Sequence, residues 1–178
     1  MLIILEGPDG AGKTTLAEAL MAGFYRKWKS GTFIVEHRGP LSPDVDPVDE
    51  YTLPDYDPTD MTNLVVCDRW HLSETVYGPI YRGASRVDLG FHEKWLDDRG
   101  ALKLYVTAPL SVLTARVSER GDDFIEVGHL ANIVGWFTRT LTGLSGWQTV
   151  NTGGPFPPDF IDELLDKAAE LARKKEEK

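Results

Sequence analysis

At 178 residues the chain is long enough for one compact domain with a sizeable core and too short for much of a second, so a single domain over 1–178 is expected. Its 28 acidic residues against 19 basic ones give a formal net charge of −9. That is the wrong sign for the basic stripe that grips a nucleic-acid backbone, so duplex nucleic acid is not an expected partner, although a local basic site for one nucleotide is compatible with it. A lone cysteine, Cys67, excludes intrachain disulfides and CxxC metal clusters and points to a reducing, cytoplasmic compartment, and no run approaches the ~20 apolar residues that span a bilayer, so no membrane partner is expected.

Leu2 to Leu5 is continuously apolar, the pattern of a central parallel strand covered on both faces. The run lacks a charged leader and breaks into glycine at Gly7, which argues against a signal peptide. Thr14 to Lys29 has the periodicity of a helix, with Leu16, Ala19, Leu20, Gly23 and Phe24 on one side. Thr32 to Val35 reads as a short second strand. Residues 39–63 then hold five prolines and many carboxylates, which opposes a regular helix and predicts a long acidic loop with one short helical turn. Leu64 to Asp68 is a third, central strand. Helices are expected over Trp70 to Tyr81 and Asp88 to Asp98, a strand over Leu102 to Thr107, and a helix opened by Pro109 and running to about Glu119. A polar break at Arg120 to Phe124 precedes a helix over Glu126 to Leu141, a last strand at Trp147 to Val150, and a C-terminal helix over Pro158 to Lys175. Strand and helix alternate throughout, which predicts an α/β fold: a parallel sheet with helices on both faces.

Gly7-Pro8-Asp9-Gly10-Ala11-Gly12-Lys13-Thr14 satisfies the phosphate-loop pattern GxxxxGKS/T without a mismatch. Glycines at 7, 10 and 12 let backbone N–H groups turn toward phosphate, and the following helix presents its positive end to the anion. In this motif Lys13 reaches the terminal phosphates of ATP and Thr14 offers its hydroxyl to Mg²⁺, so the nucleotide-binding stretch is Gly7, Pro8, Asp9, Gly10, Ala11, Gly12, Lys13, Thr14 and Thr15. The flanking apolar strand and amphipathic helix are the context the motif needs. The loop alone does not separate a kinase from a GTPase or a motor ATPase. No NKxD guanine motif is present, and the third strand ends in Asp68-Arg69-Trp70 rather than Asp-Glu.

With these residues in view the chain resembles the thymidylate kinase family of P-loop nucleoside monophosphate kinases. Leu5 to Thr14 is similar to that family's LEGxDGxGKS/T loop. Asp68-Arg69-Trp70-His71-Leu72-Ser73 with Tyr77 resembles its DRY/HxxS…Y motif. Arg116 with Arg120 to Glu126 resembles its arginine lid, placed near 116–126, and Arg38-Gly39-Pro40 loosely resembles its turn after the second strand. The resemblance implies the P-loop kinase three-layer fold, with five parallel strands in the order 2-3-1-4-5, and a small-molecule nucleotide substrate. It also suggests a homodimer. For the residues it implies that Asp9 faces the acceptor sugar or a metal-bound water, that Arg38, Ser73 and Tyr77 line the acceptor pocket, and that Arg69 clamps the acceptor phosphate. Thr14 and Asp68 would serve Mg²⁺, and Lys13, Arg69, Arg116 and Arg120 would stabilise the transferring phosphoryl group. Because position 11 is Ala11, the lid arginines would carry the load that a P-loop arginine carries elsewhere. The residues by themselves leave other readings open: Asp9 as a solvated loop carboxylate, Asp68 as a helix cap, Arg69 in a plain ion pair, the lid pair as an exposed helix face, and Tyr77 as core. Gly153-Gly154-Pro155 stands where related kinases place the adenine ring, and reads equally as an ordinary turn.

The acceptor side departs from the family. The interval between Arg38 and Asp68, where a base-stacking aromatic and a base-reading arginine should fall, is short and contains no arginine or lysine. Tyr51 or Tyr56 is its only stacking candidate. The residue after Tyr77 is Gly78, where the family often has glutamine. Four hypotheses follow. The leading one is a deoxynucleoside monophosphate kinase. A deoxynucleoside kinase would use Glu36, after the second strand, as the base that deprotonates a 5′-hydroxyl. A kinase of a modified nucleotide is disfavoured, where that nucleotide lies within DNA, by the net charge. A non-catalytic ATP sensor would not need Lys13, Thr14, Asp68 and the lid arginines together.

Overall fold

Four successive apolar residues cannot face water on either side of a strand, and the chain buries both faces of β1 (Leu2–Glu6). The structure is a computed structural model that describes residues 1–53, 56–57, 60, 62–121 and 127–176. After β1 come α1 (Lys13–Lys27), β2 (Thr32–His37), α2 (Pro47–Glu50), β3 (Asn63–Asp68), α3 (His71–Arg82) and α4 (Leu89–Asp98). Then follow β4 (Leu102–Thr107), α5 (Leu110–Arg120), a 3-10 turn (Val127–His129), α6 (Leu130–Thr142), β5 (Trp147–Asn151) and α7 (Phe160–Glu176). The five strands form one parallel sheet in the order β2-β3-β1-β4-β5, as expected.

Alternation along β1 divides the core. Ile3 and Leu5 pack with Leu16, Leu20 and Phe24 of α1, Phe137 of α6 and Leu165 and Ala168 of α7. Leu2 and Ile4 pack on the other face with Cys67, Trp70, Tyr51, Trp95 and Leu96. Complete burial of four such side chains is worth on the order of 6–12 kcal/mol before entropy is charged against it, which is why this strand takes the centre. Among the described residues no helix is long and apolar enough to cross a membrane.

Several boundaries differ from expectation, each for a local reason. β2 runs two residues further, to His37, because its pairing with β3 continues through His37 opposite Asp68. Pro109 sits one position before α5, as its cap, rather than inside it. Helix α6 begins at Leu130, after the 3-10 turn. The expected start at Glu126, and the lid residues Asp122 to Glu126, lie outside the described residues, as do Pro54, Asp55 and Pro58 of the acidic loop. Within that loop α2 is the predicted short turn. Asp46 caps it by accepting from the Val48 N–H at 2.8 Å, and proline occupies its first position. Tyr51 is corrected as a base-stacking candidate. It is 1% exposed, packed edge-on against Trp70 and His92, and it anchors the loop to the core.

Candidate active site

Gly7 explains why the phosphate loop starts where β1 ends. Its φ is 149°, and a Cβ there would stand 2.0 Å from the Val106 carbonyl oxygen of β4. Only glycine lets the loop leave the sheet at that point. At the far end of the loop Gly12 caps α1 with no side-chain hydrogen bond to the helix, so the first N–H groups of α1 stay open to an anion. The Lys13 Nζ donates to the carbonyls of Gly7 and Pro8, both at 2.9 Å, and so curls over the cradle. Burial, and then the positive charge of Arg69, pull its ammonium down to about 8.

The end of β3 supplies a carboxylate beside this loop. Thr14 Oγ1 donates to Asp68 Oδ2 at 3.2 Å, and His37 Nδ1 lies 3.4 Å from the same oxygen. Asp68 is 4% exposed, and its other oxygen has no hydrogen-bond partner among the described residues. A buried carboxylate oxygen left open beside a threonine hydroxyl is a fit for a hard divalent cation such as Mg²⁺, which takes one or two protein oxygens and otherwise phosphate and water. No cluster of three or more carboxylates, histidines or cysteines suited to a metal occurs among the described residues, so a metal ion here would depend on the nucleotide for its remaining ligands.

Arg69 is the one non-glycine residue with positive φ among the described residues, at 71°. Its N–H donates to the Leu5 carbonyl at 2.9 Å, and its guanidinium pairs with Asp9 and lies 5.3 Å from the centre of the Tyr77 ring. Tyr77 donates its hydroxyl to the other Asp9 oxygen at 2.6 Å. Burial, and then the Asp9 charge, hold the Tyr77 hydroxyl well above its ordinary range, so it stays a donor. Burial opposes the charge on Arg69, but Asp9 and Tyr77 outweigh it and raise its pKa further. Asp9, Arg69 and Tyr77 thus come together as one cluster from the loop, the strand end and the helix.

The reason the turn holds its strained shape is Glu6, to which the sequence reading gave no role. This fully buried carboxylate accepts from the N–H groups of Trp70 at 2.9 Å and Ser73 at 3.0 Å and from the Ser73 hydroxyl at 2.5 Å. It caps α3, which has no cap of its own from Trp70. A charged residue ending a wholly apolar strand was the available signal. Ser73 borders the cleft beside Asp9, Arg69 and Tyr77, as expected of a lining residue, and its hydroxyl is committed to Glu6.

Two clefts, each of about 490 Å³, border the phosphate loop. The first lies between Asp9, Arg69, Tyr77 and the turn at His37 to Pro40, and extends along α3 past Glu74 to Tyr81 and Arg82. Arg38 lines it, held by Glu36 at 3.5 Å and Glu50 at 3.4 Å, with its guanidinium 5.3 Å from the Trp70 ring centre. Glu36 itself is outside this lining and faces a separate recess with Ile34, Asn63 and Val65. Tyr56 lines that recess as well and is absent from the lining of the first cleft. The second cleft lies between Gly10, Gly12, Thr15, Arg116, Arg120 and the Gly154-Pro155 turn. Here Arg116 differs from a free lid arginine. It donates to the Gly10 carbonyl at 3.0 Å and to Thr152 Oγ1 and the Thr152 carbonyl at 3.0 and 2.7 Å, which ties α5 to the loop and to the end of β5. Thr152 in turn donates to the Ala11 carbonyl at 2.7 Å. Arg120 stands at the end of α5, exposed, before Gly121. Glu74, Tyr81, Arg82 and Thr152 were not anticipated. Glu74 and Arg82 are about two helical turns apart, the spacing that puts both on one face.

Among solved structures, the YorR protein of Bacillus subtilis, crystallised in complex with phosphorylated GDP, superposes with a TM-score of 0.69 and 25% identity over 98% of each chain. A thymidylate kinase from Ehrlichia chaffeensis superposes with a TM-score of 0.51 and 15% identity over 96% of this chain and 97% of its own, a likeness that bears on the fold. No family model matches the chain, and no curated protein matches it in sequence.

Proposed function

We propose that this chain, a P-loop nucleotide kinase of the thymidylate kinase-like fold, transfers the γ-phosphoryl group of ATP to a deoxynucleoside monophosphate, giving the diphosphate and ADP. The observation that carries the reading is the pair of clefts on the phosphate loop, one bordered by Gly10, Gly12 and Thr15 and the other by Asp9, with arginines lining each. That is what a two-substrate phosphoryl transfer requires: donor and acceptor held in line across one cradle. The phosphorylated GDP bound by the YorR protein supports a nucleotide substrate.

The residues present divide the work. The loop amides, Lys13 and the open start of α1 hold the donor phosphates. Arg69 receives the acceptor phosphate, for which a guanidinium offers a two-pronged fit. Asp9 and Tyr77 keep that guanidinium aimed into the cleft. A phosphate monoester is already largely dianionic near neutral pH, so its oxygen attacks the γ-phosphorus without a general base. The bond from the γ-phosphorus to the bridging oxygen breaks, and ADP leaves with the electron pair. Thr14 and Asp68 would hold Mg²⁺, which neutralises charge on the donor phosphates. Arg116 and Arg120 line the donor cleft, where a planar cation suits both the nucleotide base and the departing phosphate. The Tyr77 ring beside Asp9 walls the sugar position and supports deoxyribose over ribose. The absence of Glu36 from the acceptor cleft supports a monophosphate acceptor over a 5′-hydroxyl.

The test is ATP consumption with a panel of deoxy- and ribonucleoside monophosphates and the matching nucleosides, with Lys13→Ala as the blank. Turnover on monophosphates, with Arg69→Ala raising the acceptor KM and lowering kcat and Glu36→Gln neutral, is the expected result. Turnover confined to nucleosides, abolished by Glu36→Gln, would overturn the reading.

A further inference from the structure

The chain carries no cation in the interval that should read the acceptor's base, yet the acceptor cleft has a charged far end. Glu74 and Arg82, both on α3, pair there beyond Tyr77. The Glu74 side chain is 2% exposed and that of Arg82 34%, so the carboxylate forms the floor and the guanidinium the rim. Arg82 engages one carboxylate oxygen, and no described residue donates to the other. The backbone was shaped around this carboxylate: a Cβ at Gly78 would stand 2.9 Å from Glu74 Oε1 and 2.8 Å from the Ala84 carbonyl. That is the physical reason for glycine after Tyr77. Tyr81 extends the wall, stacked on Tyr77 with ring centres 6.2 Å apart and planes at 12°. A flat ring has an aromatic surface beside it and one charge of each sign at its edge.

We propose that Glu74 and Arg82 read the base of the acceptor and that the base they fit is guanine. The inference rests on the monophosphate-acceptor reading above. A carboxylate only accepts and a guanidinium only donates, so the matching base must offer donors to one and acceptors to the other. Guanine offers N1–H and the 2-amino group side by side, two parallel donors for a carboxylate, with O6 and N7 as neighbouring acceptors for a guanidinium. Thymine offers a single N–H between two carbonyls, one of which would then face the carboxylate. Cytosine and adenine each offer the carboxylate one amino group, which serves the open oxygen but leaves nothing for the second lone pair of the oxygen that Arg82 holds.

The experiment compares dGMP, dIMP, dAMP, dCMP and dTMP by calorimetric binding and by steady-state turnover, in the wild type and in Glu74→Gln. Hypoxanthine is guanine without the 2-amino group. In the wild type dGMP should bind best and exceed dIMP by roughly tenfold to a hundredfold, the range for one hydrogen bond to a charged partner. Glu74→Gln, which keeps the side-chain shape and an acceptor for Arg82, should shrink that ratio toward one. A wild-type ratio near one, a preference for dTMP, dCMP or dAMP, or an equal loss on every base in Glu74→Gln would overturn the guanine assignment and leave the monophosphate reading standing. Tight dGMP binding with no turnover would do the reverse. No binding of any nucleotide would sink both.

Discussion

Glu6 offers the sharpest separation between holding a site and acting in it. Its Oε1 accepts both backbone N–H groups, from Trp70 and Ser73, and its Oε2 accepts the Ser73 hydroxyl. In Glu6→Gln a carbonyl oxygen at the Oε1 position keeps both backbone bonds. The amide nitrogen then faces the Ser73 oxygen, which can reverse its hydroxyl and accept. What is lost is charge: the charge assistance in three bonds and the attraction of an anion to the start of α3. Partly buried helix-terminus charges are worth up to about 2 kcal/mol, so the expected loss is about 1–2 kcal/mol. Glu6→Ala removes every acceptor and strands three buried donors, and should cost about 3 kcal/mol or more, a large share of a typical total of about 5–15. Urea denaturation gives both values. Because the capped turn contains Arg69, Glu6→Gln should also raise the acceptor KM several-fold more than the ATP KM. A Glu6→Gln protein with wild-type stability and wild-type acceptor KM would refute the claim that this carboxylate sets the turn.

Three further outcomes follow from the same geometry. The Lys13 ammonium titrates at about 8 against its ordinary 10.5, mainly through burial and then through Arg69. Between those values the unfolded chain holds a proton that the folded one has shed, so this group's contribution to stability rises with pH across that window. Phosphate restores the charge, so ATP binding near pH 8 should take up about half a proton, measured by calorimetry in buffers of different ionisation enthalpy, and Lys13→Met should abolish the uptake. Arg116→Met removes donors to Gly10 and Thr152 and should cost about 1–3 kcal/mol in a thermal melt while raising the ATP KM more than the acceptor KM. Arg69→Gly should be more stable than Arg69→Ala by about 1 kcal/mol, because only glycine is at ease with a φ of 71°, while both variants lose acceptor affinity alike.

The sheet order and the glycine-rich loop after β1 were legible because each rests on local chemistry. An apolar run such as Leu2 to Leu5 has one sensible location, and a phosphate loop needs its glycines in sequence. Asp68 and Arg69 were legible because a strand's carboxyl end in an open parallel sheet is where ligands gather. Arg116 was legible as a residue near the phosphate loop but not in its attachment, since nothing in the spacing tells that Thr152, thirty-six residues later, would bond its guanidinium. Ser73 was legible as a cleft-lining residue but not in its bond to Glu6, for the same reason. Its partner Glu6 lies sixty-seven residues away, across the sheet.

The acceptor side resisted reading for a different reason. A phosphate cradle is built from main-chain groups, so its sequence is constrained whatever the substrate. A base pocket is built from side chains that can come from any wall of a cleft. Here the acidic loop, which looked like the natural place for base contacts, spends its aromatic Tyr51 on the core against Trp70 and His92. Beyond Asp9, Arg69 and the turn at His37 to Pro40, the cleft is lined by α3, where Ser73, Tyr77 and Tyr81 border it beside Glu74 and Arg82. One helix therefore does two jobs. Its start is pinned by Glu6 beside Arg69, which lines the cleft, and its end presents a charge pair at the far end of the same cleft. The two jobs are separable by substitution, since Glu6 and Glu74 share no hydrogen-bond partner among the described residues. A change at the start should alter every acceptor alike, whereas a change at the end should alter the ranking among bases.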